Sequence, residues 1–539
     1  MRHWILAAAL AASTPAMAQT KYEPIPACGS DCLVTNVEEL TIDEMQARMA
    51  SGKEDSVGLL RGTLWRIEQI DRKGPTLRSI IALSPREDLE RAARESDRRR
   101  KAGKLLGPLD GIPVLIKDNI ETKELPTTAG SLALKDNRTG RDAPVVARLR
   151  AAGAVILGKT NLSEWANIRS TGSMSGWSAV GGLVRNPYAL DRTACGSSSG
   201  SGAAVAASLA AVALGTETDG SVVCPASMNG LVGLKPTIGL VSRTHIVPIS
   251  HSQDTAGPMG RTVKDVAILF GAMVGTDPAD STTREADSWR TDFAAKLSID
   301  GLKGVRLGVI RPKMPAALAA KFEEALGVLK AQGAVLVEIT PPKLEGLGDA
   351  EFAVLKTELK ADLNAYLATT PAAVKTRTLA DVIAFNEANK AAEMPFFGQE
   401  IFLEAEKTKG LDDPEYKAAR EKSYWMAAAD GLAKMMRTGN VSFLVEPTYG
   451  MPWLSDPVYG DKFEGPSASE LPAVAGWPHL TVPMGLVQGL PVGLSFIGSR
   501  YTEPAMLQAG YAYEQAAKAR VAPSYAPSAP ADLGSRATK

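Results

Sequence analysis

Histidine is scarce in this 539-residue chain: His3, His245, His251 and His479 are the whole supply. Neither His-Glu-x-x-His nor Gly-x4-Gly-Lys-Ser/Thr occurs, so zinc-peptidase and P-loop chemistry lack their motifs. Cysteine is equally sparse, at Cys28, Cys32, Cys195 and Cys224, and the absence of a Cys-x2-Cys pair argues against a zinc ribbon. Excess charge is missing too. Lys+Arg 60 balances Asp+Glu 60, which disfavours nucleic acid as a partner and leaves little field to steer a charged one. Beyond the N-terminus no apolar run reaches the roughly 18 residues that a membrane span needs. What remains, 45% hydrophobic and 22% charged residues, is ordinary globular usage and excludes a disordered, collagen-like or coiled-coil chain.

The N-terminus reads as a secretory leader over residues 1–18. Arg2 and His3 form a short basic start, Trp4 to Ala12 an apolar stretch, and Ala16-Met17-Ala18 a small-x-small cleavage site after Ala18. A periplasmic or secreted protein is therefore expected. Such a chain allows disulfides, and Cys28 and Cys32 stand close enough for a local bridge. At roughly 150 residues per domain, length alone suggests three or four domains.

Helical and strand patterns then alternate, as in an α/β layered sheet. The spacing predicts helix over 41–70, opened by Thr41 with Glu44 in a capping box. Strand follows over 77–83, and a charged, solvated helix over 85–101. Further strands are expected over 112–116 and 154–158, with helices over 143–152 and 203–213. Strands over 305–310 and 334–339 flank a helix over 315–332. Residues 342–440 are dominated by helical pattern, and 480–487 with 492–497 read as a hairpin around Gln488-Gly489-Leu490-Pro491.

Three islands carry candidate chemistry. Gly196-Ser197-Ser198-Ser199-Gly200 fits the nucleophile elbow Gly-x-Ser-x-Gly centred on Ser198, but that elbow needs an apolar strand before it and 185–195 is polar and turn-forming. A flexible Ser/Gly linker is the other reading. Against it, the run leads straight into an Ala-rich helix, where small residues permit close packing and leave N–H groups free. Residues 215–226 set Gly220 and Ser221 after turn-forming residues. That layout either exposes backbone N–H groups beside a hydroxyl or is a plain polar turn. Lys117 stands just past an apolar strand. Burial there lowers a lysine towards a working base; an ordinary ion pair is the alternative.

Together these islands resemble the amidase signature family, block by block and in order. Gly107 to Asn119 resembles its lysine segment and Gly158 to Glu164 its next block. Cys195 to Ser201 resembles the Gly/Ser block, Gly215 to Pro225 the nucleophile block, and Ser252 to Val263 with Gly476 to Gly493 later blocks. The resemblance implies an α/β amidase signature fold, a large mixed, twisted central sheet covered by helices on both faces. It implies one amidase domain over 41–535 after an arm over 19–40, with a helical insertion at about 342–440. It also implies a Ser–cis-Ser–Lys triad: Ser221 as nucleophile, Ser197 in a cis peptide as bridge, and Lys117 as base. Backbone N–H groups among Thr218, Asp219, Gly220 and Ser221 would hold the oxyanion. No metal and no cofactor is implied. The expected partner is a small-molecule or peptide amide, with no nucleic acid and no membrane, and the expected species is a monomer.

The match has departures. Asp219, Cys195 and Ser199 stand where the family carries glycine, and Val223 where it carries arginine. This form is similar to that of bacterial peptide amidases, which remove the C-terminal amide of peptides, so peptide amides are the expected substrates. The alternatives are a general acylamide or aryl-amide hydrolase, an amidotransferase of the A type, and a non-catalytic periplasmic binding protein. Asp219 is expected to point away from the reacting carbonyl or to bind a positive group. The helical region is expected to contribute to the acyl pocket. His245, His251 and His479 read as structural or pocket-lining.

Overall fold

The computed structural model describes residues 34–530. The leader over 1–18, the Cys28–Cys32 pairing and most of the 19–40 arm lie outside the described residues.

Thirteen strands are present among them: β1 (Ile80–Leu83), β2 (Pro113–Lys117), β3 (Val155–Thr160), β4 (Trp177–Ser178), β5 (Gly182–Leu183), β6 (Val212–Glu217), β7 (Val232–Lys235), β8 (Thr255–Gly260), β9 (Arg306–Ile310), β10 (Val335–Ile339), β11 (Phe443–Pro447), β12 (His479–Val487) and β13 (Leu490–Ile497). Eleven form one sheet in the order β1-β3-β2-β6-β8-β7-β12-β13-β11-β9-β10, and β4 with β5 make a separate small ribbon. The sheet is mixed. β3, β2 and β6 run parallel, as do β11, β9 and β10, while the middle of the sheet is antiparallel.

Alternation along the strands splits the core into two layers. Val114, Ile116, Val212 and Leu214 join one apolar cluster with the helices Pro144–Ala151, Val263–Met273, Ala316–Ala331 and Glu503–Ala517. Leu115 and Ala213, on the other face, join a second cluster with the helices Ser56–Arg66, Arg86–Lys101 and Ser199–Ala206. Between β10 and β11 the chain is helical, from Leu347–Ala368 to Lys434–Gly439. Among the described residues no helix is long and apolar enough to cross a membrane.

Several local expectations are corrected. The helix over 41–70 is broken once, into Ile42–Ala50 and Ser56–Arg66, the second running on as a π-helix over Ile67–Lys73, because Gly52 takes φ +71° and Asp55 caps a new start; the Thr41–Glu44 capping box is present. The strand over 77–83 begins only at Ile80, since Thr76 and Arg78 hold positive φ. The helix over 203–213 is displaced: it runs from Ser199 to Ala206, and Val212 already belongs to β6. Alanines make 203–213 read as one helix, but the segment from Val212 pairs with β2 on one side and β8 on the other. The hairpin of β12 and β13 turns at Gln488 and Gly489, both with positive φ, as a tight antiparallel turn requires.

Candidate active site

β2 and β6 run side by side and parallel, with Ile116 opposite Leu214. Lys117 is the last residue of β2, and Thr216 lies near the end of β6. The Lys117 Nζ sits 2.7 Å from Ser197 Oγ, 2.8 Å from Thr216 Oγ1 and 3.2 Å from the Thr216 carbonyl. Thr216 Oγ1 also accepts Asn119 Nδ2 at 2.9 Å. Burial pushes Lys117 down to about 7, against the Asp254 and Glu217 carboxylates that favour its charge. In the neutral amine the two N–H bonds suit the Thr216 oxygens, which leaves the lone pair to face the Ser197 hydroxyl.

Ser197 follows a cis Gly196–Ser197 peptide. A side chain on Gly196 would lie 2.2 Å from Ser163 Oγ, so this turn admits only glycine without rearrangement. The Ser197 carbonyl accepts the Ser163 N–H at 3.0 Å, and Ser198 N–H donates to the Ser221 carbonyl at 3.1 Å. Ser198 Oγ is turned to the backbone of Thr216, bonding its carbonyl at 3.1 Å and its N–H at 3.2 Å. The hydroxyl at the centre of the Gly-x-Ser-x-Gly pattern is thus a brace for β6.

After β6 the chain turns through 218–222 into the helix Val223–Met228. Glu217 Oε2 takes the N–H groups of Val222 and Val223 at 2.7 and 2.9 Å, and Cys224 N–H bonds the Gly220 carbonyl at 2.8 Å. Among the described residues the N–H groups of Asp219, Gly220 and Ser221 donate to no protein acceptor. They remain free for an anionic oxygen. Ser221 retains 8% exposure where Lys117 and Ser197 have none, so it is the member of the three that can meet an incoming molecule. Cys195 and Cys224 form a disulfide that ties the residue before the cis peptide to the helix after Ser221.

Asp219 is exposed, with Ser469, Lys235, Glu351 and Glu470 around its carboxyl. Loss of hydration pushes its carboxyl up, against a hydrogen bond from Ser469 and the attraction of Lys235. Burial and the Asp219 charge in turn push Glu351 up to about 9 and raise Glu470. Around the lysine segment, Lys159 pairs with Asp118 at 3.0 Å in full burial. Asp118 also accepts Thr128 N–H at 3.2 Å, which fixes the loop leading to Ala129 and Gly130.

A cavity of about 370 Å³ opens beside Lys117, lined in part by Asn119, Thr216, Thr218, Asp254 and Tyr366. Asp362, Ala365 and Tyr366 reach it from the helix Leu347–Ala368, so the helical segment does line a recess next to the lysine. His251 also lines it and pairs with Asp362 at 2.9 Å. Glu358 lies 3.4 Å from His251 Nε2 and accepts from Ser250, Ser252 and Tyr416. His479 is buried, bonded to Ser495 at 2.6 Å and pushed down to about 3 by burial and then by the charge of Lys235. His245 lies in a turn at positive φ. Nothing in the sequence singles out Thr216, Asn119, Glu217 or the Cys195–Cys224 bridge for a role. Their positions follow from strand register, although Glu217, directly before the free N–H turn, is open to inspection.

A family model described as Amidase matches residues 62–507. The chain belongs to the amidase family. It is 38% identical over 502 residues to a probable amidase of Arabidopsis thaliana, covering 91% of this chain and 92% of that one. It is 36% identical to a glutamyl-tRNA(Gln) amidotransferase chain of Symbiobacterium thermophilum, over 87% and 95% of the two chains. Among solved structures it resembles native peptide amidase from Stenotrophomonas maltophilia, with 48% identity, TM-score 0.87, and 90% and 99% coverage. A peptide amidase bound to the competitive inhibitor chymostatin gives TM-score 0.88 at 48% identity. This amidase is thus an amide-hydrolysing enzyme on the amidase signature fold.

Proposed function

We propose that this amidase removes the C-terminal amide of peptides through an acyl-enzyme on Ser221. The observation that carries the reading is the buried Lys117 amine, 2.7 Å from Ser197 and pushed down to about 7, beside a turn of free N–H groups at Ser221. Neutral Lys117 takes the proton of Ser197 Oγ as Ser197 takes that of Ser221 Oγ, and the freed oxygen attacks the amide carbon. The carbonyl oxygen gains charge and is met by the N–H groups of Asp219, Gly220 and Ser221. The lysine proton returns through Ser197 to the leaving nitrogen, the C–N bond breaks, and ammonia departs. Water then attacks the ester by the same proton path in reverse, releasing the peptide acid and Ser221.

The likeness to peptide amidase at 48% identity supports the substrate class. Glu351 adds to it: pushed up to about 9, its carboxyl stays protonated at neutral pH and suits a neutral amide rather than a charged chain end. The test is ammonia release by the purified chain alone from matched peptide amides, acyl amides, anilides and glutamine. Peptide amides should give the highest kcat/KM, and Ser221→Ala should lose at least about a thousandfold with an unchanged melting profile. Retained turnover in Ser221→Ala would overturn the nucleophile. Turnover of glutamine alone would overturn the substrate class.

A further inference from the structure

β6 and β8 pair antiparallel, with Thr216 opposite Ala256 and Glu217 opposite Thr255. Carried one step further, that register sets Asp254 against Thr218. Thr216 and Thr218 are two residues apart, so their side chains leave the same side of the chain where the extended run persists. Thr216 Oγ1 holds Lys117 Nζ at 2.8 Å. Thr218 Oγ1 donates to Asp254 Oδ1 at 2.6 Å, while Asp254 Oδ2 accepts Ile249 N–H at 2.8 Å and Ser250 N–H at 3.0 Å. Thr216, Thr218 and Asp254 all face the cavity beside the lysine.

We propose that Asp254 is a positioning residue of the amide hydrolysis: its carboxylate anchors the first residue of the Thr218–Ser221 turn and sets a negative charge on the cavity side of the Lys117–Thr216 pair. The proposal rests on the reading of Lys117 as base. Two carboxylates act on Lys117, Asp254 more strongly than Glu217. Glu217 is engaged with the N–H groups of Val222 and Val223 and with the charge of Lys235. Asp254 is the carboxylate on the cavity side. The groups that bear on it are Asp362 from the helix Leu347–Ala368 and Arg243, with His251 beside Asp362. Its place deep in the cleft pushes Asp254 up to about 6, and the hydrogen bonds from Thr218, Ser250 and Ile249 work against that rise. It is therefore half ionised near pH 6 and mostly ionised at the Lys117 midpoint near 7, so its charge is present over the upper part of the lysine's titration.

The sign follows directly. Activity needs neutral Lys117, so kcat/KM rises with pH through the lysine's titration. Removing a nearby negative charge lowers a lysine's pKa. In Asp254→Asn the rising limb for a peptide amide should move to lower pH by half a unit or more, while the plateau falls. Thr218→Val removes the anchor and one hydrogen bond that favours the Asp254 carboxylate, so it should lower the plateau and move the limb to lower pH by less than Asp254→Asn does. Asp254→Ala removes the charge by a second route if the Asn variant folds poorly. A limb that stays put or moves to higher pH in both Asp254 variants overturns the proposal. Lys117→Ala separates the two readings. If the limb survives there, lysine is not the base and both fall; if it vanishes while the Asp254 limb is unmoved, only the role of Asp254 falls.

Discussion

Gly220 is held to glycine by two separate demands. Its φ is +77°, and a Cβ there would lie 2.2 Å from Tyr449 Oη. The left-handed backbone alone costs about 1–2 kcal/mol for any other residue. Relieving the clash would tilt the turn whose N–H groups face the cleft. Gly220→Ala should therefore lose about a hundredfold in kcat, with a smaller effect on stability. Steady-state rates beside a melting curve check this, and a variant within threefold of the parent would place the oxyanion elsewhere. At this scale the sequence is readable where motif and spacing coincide, as at Lys117 and Ser197, which the fold brings to 2.7 Å. It is not readable at Thr216 or Asp254, whose roles come from which atoms the register of β6 with β2 and β8 brings within 3 Å. Asp219 is intermediate. Its departure from glycine is plain in the sequence, but the Glu351 and Glu470 carboxylates that share its field come from helices far along the chain.

At the scale of elements, the site is two tight turns, one before Ser199–Ala206 and one before Val223–Met228, stapled by Cys195–Cys224. The bridge closes a loop across 29 positions, which by loop entropy contributes about 3–4 kcal/mol. It also restrains the two serine-bearing turns relative to each other. The double variant Cys195→Ser/Cys224→Ser should unfold at lower denaturant and lose kcat more than it raises KM. Equal denaturation midpoints with and without the bridge would show it is dispensable. The sequence pattern misplaces the helix Ser199–Ala206 for a physical reason: every residue in it is buried, so it has no polar face and no helical period to read. Gly200 lets its start press on to the chain, where a Cβ would meet the Ser79 carbonyl at 2.3 Å. By contrast Ile42–Ala50 and Ala316–Ala331 have solvent faces, and their patterns are legible.

Across the whole molecule, the alternation of elements is enough to indicate a layered sheet, but not its order. The middle of the sheet is assembled from remote parts of the chain: β7 lies between β8 and β12, and β12 begins at His479. No local pattern announces such a neighbour. Deleting β11–β13 by ending the chain at residue 441 removes the strands that connect β7 to β9. The product should be insoluble and inactive, although it keeps Lys117, Ser197 and Ser221. A soluble, active truncation would show that the N-terminal strands fold without them.

That strand order also sets a clock. On the ribosome, β7 emerges with one of its two partners still 244 residues from synthesis, since Lys235 must wait for His479. At about 5–20 residues per second the wait is about 12–50 s. Throughout it, Val232–Lys235 presents an open edge, the kind of surface that pairs with other chains. The risk of aggregation for this protein is thus greatest during its birth, and it ends only when the last hairpin of the sheet arrives.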